Sequence, residues 1–530
     1  MDFINELENY IKREVGKLSK QQKIAFITTF VVGLIAHGYI IFNRISYHDN
    51  SACLFSLGGT YESGRWMLGI IYDLQMMTTK LFSVPVFNAL LSILFVAIAA
   101  MVLIDLFDIK SDLLTVYIAS IMVAYPVITA IFSYMFTSWV YLLGMLLSVI
   151  SASVLVKRQG IKEYIVSAIL LGCSLGFYQA FFSVTIVIYL IALTLGVICN
   201  KINNPLDYIK KGILYLSNLI CGLLVWAVVR KISFVVKGIN AVDYKGMDEA
   251  YELSKLPSKI LLAYSEFFHF RQEKINSLLY LRVFTAVVVV IAIIQIVVLL
   301  IKSKNSIQTK LISVSGIILL PLGMNVVYVL STSEEYLIDT LMMYGNIFIL
   351  LIPVLLINSH QKINITHEIQ KKCVCIYTCI QSICLFVLLV GYIYMDNAAY
   401  FKADLTEQAA VAWCTELVAN IKGAEGFKDD IEIVFVGWDN LDDGTFAKVD
   451  NMDQLEAIKL AKYPDYQTIL KAASNMYFLK EHIAFGNELV IIDDGTLANN
   501  HDIIEMPTYP NDGSIRLYNN KMIVKLGENN

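Results

Sequence analysis

Apolar runs and short polar connections alternate along most of this chain. Eleven runs stand near 24–43, 84–105, 113–132, 138–156, 163–178, 180–199, 212–236, 282–301, 311–330, 338–357 and 374–394. Runs of about 18–20 apolar residues span a bilayer as α-helices. The expected fold is therefore a polytopic α-helical membrane protein of about 11 transmembrane helices. The only break between the runs at 163–178 and 180–199 is the stretch from Gly176 to Gln179. Ahead of the first run, Phe3, Ile4, Leu7, Ile11, Val15 and Leu18 recur at helical spacing with charges on the other face. Residues 1–22 thus read as an amphipathic helix lying on the membrane, with the transmembrane domain covering 23–395.

Past about residue 396 the pattern changes. Residues 398–421 read as a helix, "IEIVFVGW" (431–438) and "NELVIIDD" (487–494) as strands, and "IRLYNNKMIVKLG" (515–527) as two strands around an Asn-Asn turn. Residues 396–530 are expected to form a small α/β domain.

Charge orients this arrangement. The N-terminal segment carries Lys12, Arg13, Lys17, Lys20 and Lys23. Every second connection is basic as well: Lys110; Lys157, Arg158 and Lys162; Lys201, Lys210 and Lys211; Lys302, Lys304 and Lys310; Lys362, Lys371 and Lys372. The positive-inside rule places all of these in the cytosol. Eleven crossings then put the C-terminal domain outside, together with the loops 45–83 and 237–281. The second loop is too long for a turn and reads as helices lying on the membrane that close a donor groove.

Composition agrees with the pattern. The chain is 57% hydrophobic and 16% charged, with mean hydropathy +0.63, against about half and a quarter in soluble domains. The net charge of −4 is uninformative when charge is sorted by side, and no nucleic-acid partner is expected. The nine cysteines show no zinc spacing. Cys373, Cys375, Cys379 and Cys384 read as packing thiols, and a Cys53–Cys414 disulfide has little support.

The candidate chemistry lies in "ISYHDNSACLFSLGGTYESGRWMLGIIYDL" (45–74), which holds His48, Asp49, Glu62, Arg65 and Asp73 in one connection. Outer loops are expected to be poor in cations, yet Arg44, Arg65, Arg230, Lys231, Lys237, Arg271 and Lys274 lie outside or near the outer edge. Lys237 and Lys274 are accounted for by snorkelling. Arg65 shares its loop with carboxylates, and an arginine fork suits a phosphate at headgroup depth. An acid and a base beside a lipid-facing groove suit transfer of a sugar from a lipid phosphate. A carboxylate removes the acceptor proton, and a cation stabilises the departing phosphate. Asp49 is the best base, with Glu62 and Asp73 weaker candidates. His48 is placed to tune Asp49, and Trp66 and Tyr72 suit interfacial depth.

"YHDN" followed by "GRW" about sixteen residues on resembles the first outer loop of the Gtr type II glucosyltransferases, bacterial membrane enzymes of the GT-C architecture. "LGFYQAFFSV" (175–184) resembles that family's Tyr-Gln motif, and the C-terminal pattern resembles its outer domain. The resemblance implies a GT-C-like glycosyltransferase of the bacterial plasma membrane. It would move a sugar, with glucose the family-level expectation, from a polyprenyl-phosphate donor to a cell-surface glycan. By the same resemblance Asp49 matches the acidic motif of the first loop, Arg65 its Gly-Arg pair, and Tyr178 and Gln179 its Tyr-Gln pair. On the residues themselves Glu62 is a further, weaker catalytic candidate, and Arg230 and Lys231 are further candidate cations for the donor phosphate. His48, Asn50, Trp66, Tyr178 and Gln179 are expected to line the pocket. On the residues alone, Tyr178 and Gln179 read as helix-end packing. No cofactor is expected; a divalent metal is compatible but unsupported. The chain departs from the family pattern in having Asp49–Asn50 where two acids are common, and in offering only Thr137 and Ser138 in "SYMFTSW" (133–139). The competing functions are a transporter or flippase, a polysaccharide polymerase or ligase (which Arg230 and Arg271 would serve), and a non-catalytic assembly protein.

Overall fold

A computed structural model describes residues 16–45, 49–240, 253–269, 278–331, 338–361, 368–437, 473–491 and 500–527, with residues 6, 13 and 458 singly. Ser19 caps α1 (Lys20–Phe42) through a capping box with Gln22. The first outer connection carries two short helices, α2 (Asp49–Ala52) and α3 (Trp66–Met76). Then follow α4 (Pro85–Leu106), α5 (Asp112–Ala124), α6 (Pro126–Phe132), α7 (Ser138–Lys157) and α8 (Ile161–Phe177). After the 3₁₀ turn Gln179–Phe181 come α9 (Phe182–Ile198), α10 (Pro205–Lys237), α11 (Leu256–Phe268) and α12 (Leu279–Lys302). The bundle closes with α13 (Ile307–Met324), α14 (Val326–Leu330), α15 (Phe348–Gln361) and α16 (Glu368–Gly423).

Among the described residues, nine helical stretches are long and apolar enough to cross a membrane. They match nine of the eleven expected spans. The expected span at 163–178 corresponds to α8, of 17 residues, and that at 338–357 to the shorter apolar stretch Tyr344–His360. The break between α8 and α9 falls where the sequence places it, with Tyr178 in extended conformation at φ −159° and ψ 119°.

In an apolar solvent the interhelical glue is small residues and polar side chains. His37 on α1 bonds the Val123 carbonyl of α5 through Nε2 at 2.8 Å and meets Tyr400 Oη of α16 at 2.9 Å. Ser148 and Thr185 join α7 to α9 at 2.7 Å, and Gln295 donates to Gln381 at 2.8 Å to join α12 to α16. In the connection between α10 and α12, α11 docks on α13 and α14. Asn325 donates to the Ala263 carbonyl at 2.9 Å, and Tyr264 donates to the Ile318 carbonyl at 2.7 Å.

The composition change at 396 falls inside one helix. α16 runs 56 residues without interruption, because no Gly or Pro occurs between Gly391 and Gly423. Its distal half is a wall of the C-terminal domain: Trp413, Cys414, Leu417 and Ile421 pack with Ile433, Phe435, Met522 and Val524. The sheet has the order β2-β1-β4-β3, from β1 (Glu432–Val436), β2 (Leu489–Ile491), β3 (Ile515–Tyr518) and β4 (Lys521–Lys525). β1 pairs parallel to β2 and to β4, and β3 pairs antiparallel to β4. The helix α17 (Ala473–His482) joins α16 on one face, and α18 (His501–Ile504) covers the other. The domain reaches back to the first outer loop. α17 packs on α2, and Arg44 pairs with Glu481 at 2.5 Å. All nine cysteines are free thiols, so no Cys53–Cys414 bridge forms. Most of the expected amphipathic helix lies outside the described residues.

Candidate active site

A tight turn organises the first outer loop. Gly64 N–H donates to the Tyr61 carbonyl at 2.9 Å, and Arg65 N–H donates to the Thr60 carbonyl at 3.0 Å. Gly64 has φ +74°, a left-handed conformation that favours glycine. A Cβ there would meet Arg230 Nε at 3.2 Å, Gln179 Nε2 at 3.2 Å and Trp226 Cζ2 at 3.3 Å. Three side chains from two elements far from it in sequence, α10 and the 3₁₀ turn Gln179–Phe181, thus converge on one bare backbone position.

Hydrogen bonds fix the convergence. Trp226 Nε1–H donates to the Gly64 carbonyl at 3.0 Å, and Gln179 Nε2–H donates to the Ser63 carbonyl at 3.3 Å. The ring of Trp66 lies against Gly176 of α8, where a Cβ would come within 2.6 Å of it. Both arginines ride on aromatic faces. The Arg65 guanidinium lies 5.2 Å from the Tyr178 ring centroid and 5.9 Å from that of Tyr141, two rings that stack on each other at 4.6 Å. Arg230 lies 5.6 Å from Trp226 and 5.1 Å from Phe234, its neighbours one helical turn to either side on α10. Its Nε–H is buried and has no hydrogen-bond acceptor among the described residues.

Asp49 and Asn50 begin α2. Asp49 is half-buried. Asn50 is buried, and its amide donates to the Ser133 carbonyl at 2.8 Å. Ser133 follows α6, and Tyr141 lies one turn into α7, so the same connection supports Asn50 and underlies Arg65. Cys53, one turn after Asp49, has its thiol pushed up to about 12 by burial and then by the Asp49 charge.

The expected site residues therefore separate. Arg65, Trp66, Tyr178, Gln179 and Arg230 gather around Gly64, while Asn50, next to Asp49 in the same loop, is anchored on the 133–141 connection that also carries Tyr141. Glu62 lies on the same turn and accepts from Thr60 Oγ1 at 3.4 Å. Lys231 points to the exposed side of α10, away from the cluster. His48 lies outside the described residues, as do Arg271 and Lys274. Asp73 has a structural partner: Lys237 Nζ and Tyr61 Oη both donate to its Oδ2 at 2.7 Å. Burial works to raise the Asp73 carboxyl, and these donors outweigh it, so its pKa lies below the ordinary range.

Sequence reading missed Gly64, Tyr141 and Trp226. Trp226, Arg230 and Phe234 are spaced four apart, which is the one signal that would have found them. It also missed Asp396. No acid lies in the 133–139 connection, and Thr129 of α6 donates to Asp396 Oδ1 of α16 at 2.6 Å.

The model of the glucosyl transferase GtrII family matches residues 38–350, more than half of the chain, and the protein belongs to that family. Neither a curated protein nor a solved structure matches it. The match runs from α1 through the start of α15 and takes in every element around Gly64. The family implies glucosyl transfer, by a chain whose apolar helices suit a membrane.

The turn gives a direct test. Gly64→Ala introduces backbone strain of about 1–3 kcal/mol and pushes on Arg230, Gln179 and Trp226 together. Glucosyl transfer is expected to fall at least about tenfold, with a modest drop in thermal stability. Wild-type kcat/KM in this variant would show that the convergence is not where transfer occurs.

Proposed function

We propose that the protein moves glucose from a polyprenyl-phosphate donor to a cell-surface glycan on the outer face of the bacterial plasma membrane, as a GT-C-type enzyme. One observation carries this reading. Two arginines, one at the N-terminus of α3 and one on α10, are brought to one glycine turn, in a loop that also carries the half-buried Asp49. The Asp49 carboxylate takes the proton of an acceptor hydroxyl. That oxygen forms its bond to the anomeric carbon as the bond from that carbon to the phosphate oxygen breaks. The electron pair leaves on polyprenyl phosphate, whose added negative charge Arg65 and Arg230 stabilise. The buried Nε–H of Arg230 is a donor suited to a phosphate oxygen. The basic connections support a cytosolic N-terminus, and with eleven crossings this chemistry lies on the outer side, with the C-terminal domain.

Purified protein supplied with polyprenyl-phosphate glucose should release polyprenyl phosphate and glucosylate glycan from cells lacking the protein, while UDP-glucose should not serve. Equal use of UDP-glucose would overturn the donor. In intact cells, cysteines placed at the exposed positions Phe55 and Asp502 should react with a membrane-impermeant maleimide, whereas one at Asn203 should not. Protection of both outer positions would put the site in the wrong compartment.

A further inference from the structure

The face of the bundle opposite Gly64 holds a second concavity. The C-terminal ends of α4, α7, α9 and α15 and the first turns of α10 enclose a cavity of about 500 Å³. Lys157, Lys201, Lys211, Asn200 and Asn358 are among the residues that line it. One carboxylate, Asp108, shares this wall and is paired to Lys110 at 2.7 Å. Lys157 pairs with Asp105. Among the described residues, Lys201 and Lys211 have no carboxylate partner. Deeper in, the wall turns aliphatic, and its Leu195 and Leu355 also line a smaller gap with Ile191 and Ile352 between the helices.

Helix C-termini attract lysines on dipole grounds alone. That accounts for the cations, but not for the space they enclose or for the aliphatic surface continuous with it. A cationic, amide-edged mouth leading onto apolar helix faces fits one ligand chemistry: a phosphate anion carried on a hydrocarbon tail. The net charge of the wall is positive by two, from three lysines and one aspartate. A free anion would use the mouth and leave the aliphatic wall uncovered.

We infer that this cavity binds an anionic phospholipid of the adjacent leaflet, with its phosphate held by Lys201 and Lys211. The site is separate from the Gly64 cluster and does not depend on the donor assigned there.

The test uses the full chain purified in a neutral detergent, with binding read by native mass spectrometry and by the shift in Tm. The probes are dioleoyl phosphatidylglycerol, dioleoyl phosphatidylcholine with the same tails, and inorganic phosphate. Phosphatidylglycerol is expected to stay bound and raise Tm, as any ligand of the native state does, while the other two do neither. Lys201→Gln combined with Lys211→Gln should weaken phosphatidylglycerol at least about tenfold and leave the Tm without added lipid unchanged. Lys210→Gln, on the exposed surface beside the cavity, should have no effect. Should the double variant fail to accumulate, the two single variants carry the same comparison with smaller losses. Equal retention of the two lipids, an equal Tm shift with inorganic phosphate, or wild-type lipid affinity in the lysine variants would each overturn the assignment.

Discussion

Replacing Asp49 with Asn is expected to lower glucosyl transfer by about 10²–10⁴-fold, the usual contribution of a positioned general base, with normal insertion into the membrane. The side chains are nearly isosteric, so what is lost is the negative charge and its capacity to take a proton. Local structure is held by other groups. The Asp49 carbonyl accepts from Cys53 N–H at 2.8 Å, the neighbouring Asn50 is pinned to the Ser133 carbonyl, and α17 packs over α2. None of these uses the Asp49 carboxylate. Glu62→Gln should cost less, since Glu62 lies on the turn and faces Thr60. The measurement is kcat and KM for the donor in both variants at matched expression. Full activity of Asp49→Asn would remove the residue from the chemistry and return the base to Glu62 or to a group the sequence did not single out.

The parts of this molecule that could be read from sequence are those fixed by local physics. Apolar runs must be helical in lipid, because no solvent there satisfies the backbone, and nine of the eleven appear as helices long enough to cross among the described residues. Asn519 and Asn520 adopt φ +47° and +62°, the left-handed pair a two-residue hairpin demands, so β3 and β4 were legible as a hairpin. The composition change at 396 is equally visible in the sequence, while the helix that spans it is not. A helix continues where nothing in its sequence breaks it, and α16 runs unbroken from Glu368 to Gly423 across that change.

The site was legible only in part, for a physical reason. Arg65 and Asp49 share a loop, and proximity in sequence made them candidates. Arg230 comes to Gly64 across 166 residues, Gln179 across 115, and Asp396 to Thr129 across 267. Such meetings are set by helix packing, in which the missing side chain of Gly64 matters as much as the groups around it. Tyr178 and Gln179 read as helix-end packing on the residues alone. Tyr178 does pack, stacked on Tyr141, and the two rings form the floor under Arg65, while Gln179 donates to the Ser63 carbonyl. The outward turn of Lys231 follows from helix geometry, since adjacent positions on α10 point about 100° apart.

Arg65→Ala is expected to reduce kcat/KM for the lipid-phosphate donor by about 10²–10³-fold, the scale seen when a preorganised charge-stabilising group is removed. The guanidinium lies over the Tyr178 and Tyr141 rings, which fixes the plane of its fork and reduces the freedom lost when a phosphate binds. Lysine keeps the charge but has neither the fork nor the planar stacking surface, so Arg65→Lys should fall between wild type and Ala. Arg230→Ala should give a comparable loss, because Trp226 and Phe234 hold that guanidinium in the same way. The exposed Lys231→Ala should stay within about twofold, as surface substitutions usually do. If both arginines grip one departing phosphate, the double alanine variant should lose less than the product of the single losses, since groups acting on one ligand are coupled. A purely structural role predicts otherwise. Loss of cation–π packing would lower thermal stability by about 0.5–1 kcal/mol per arginine and leave the donor KM unchanged in the folded fraction. Donor-concentration kinetics and thermal unfolding on the same five variants separate the two. Small and equal kinetic effects of Arg65→Ala and Lys231→Ala, with stability reduced only in the former, would show that Arg65 braces the turn and that the phosphate is held elsewhere.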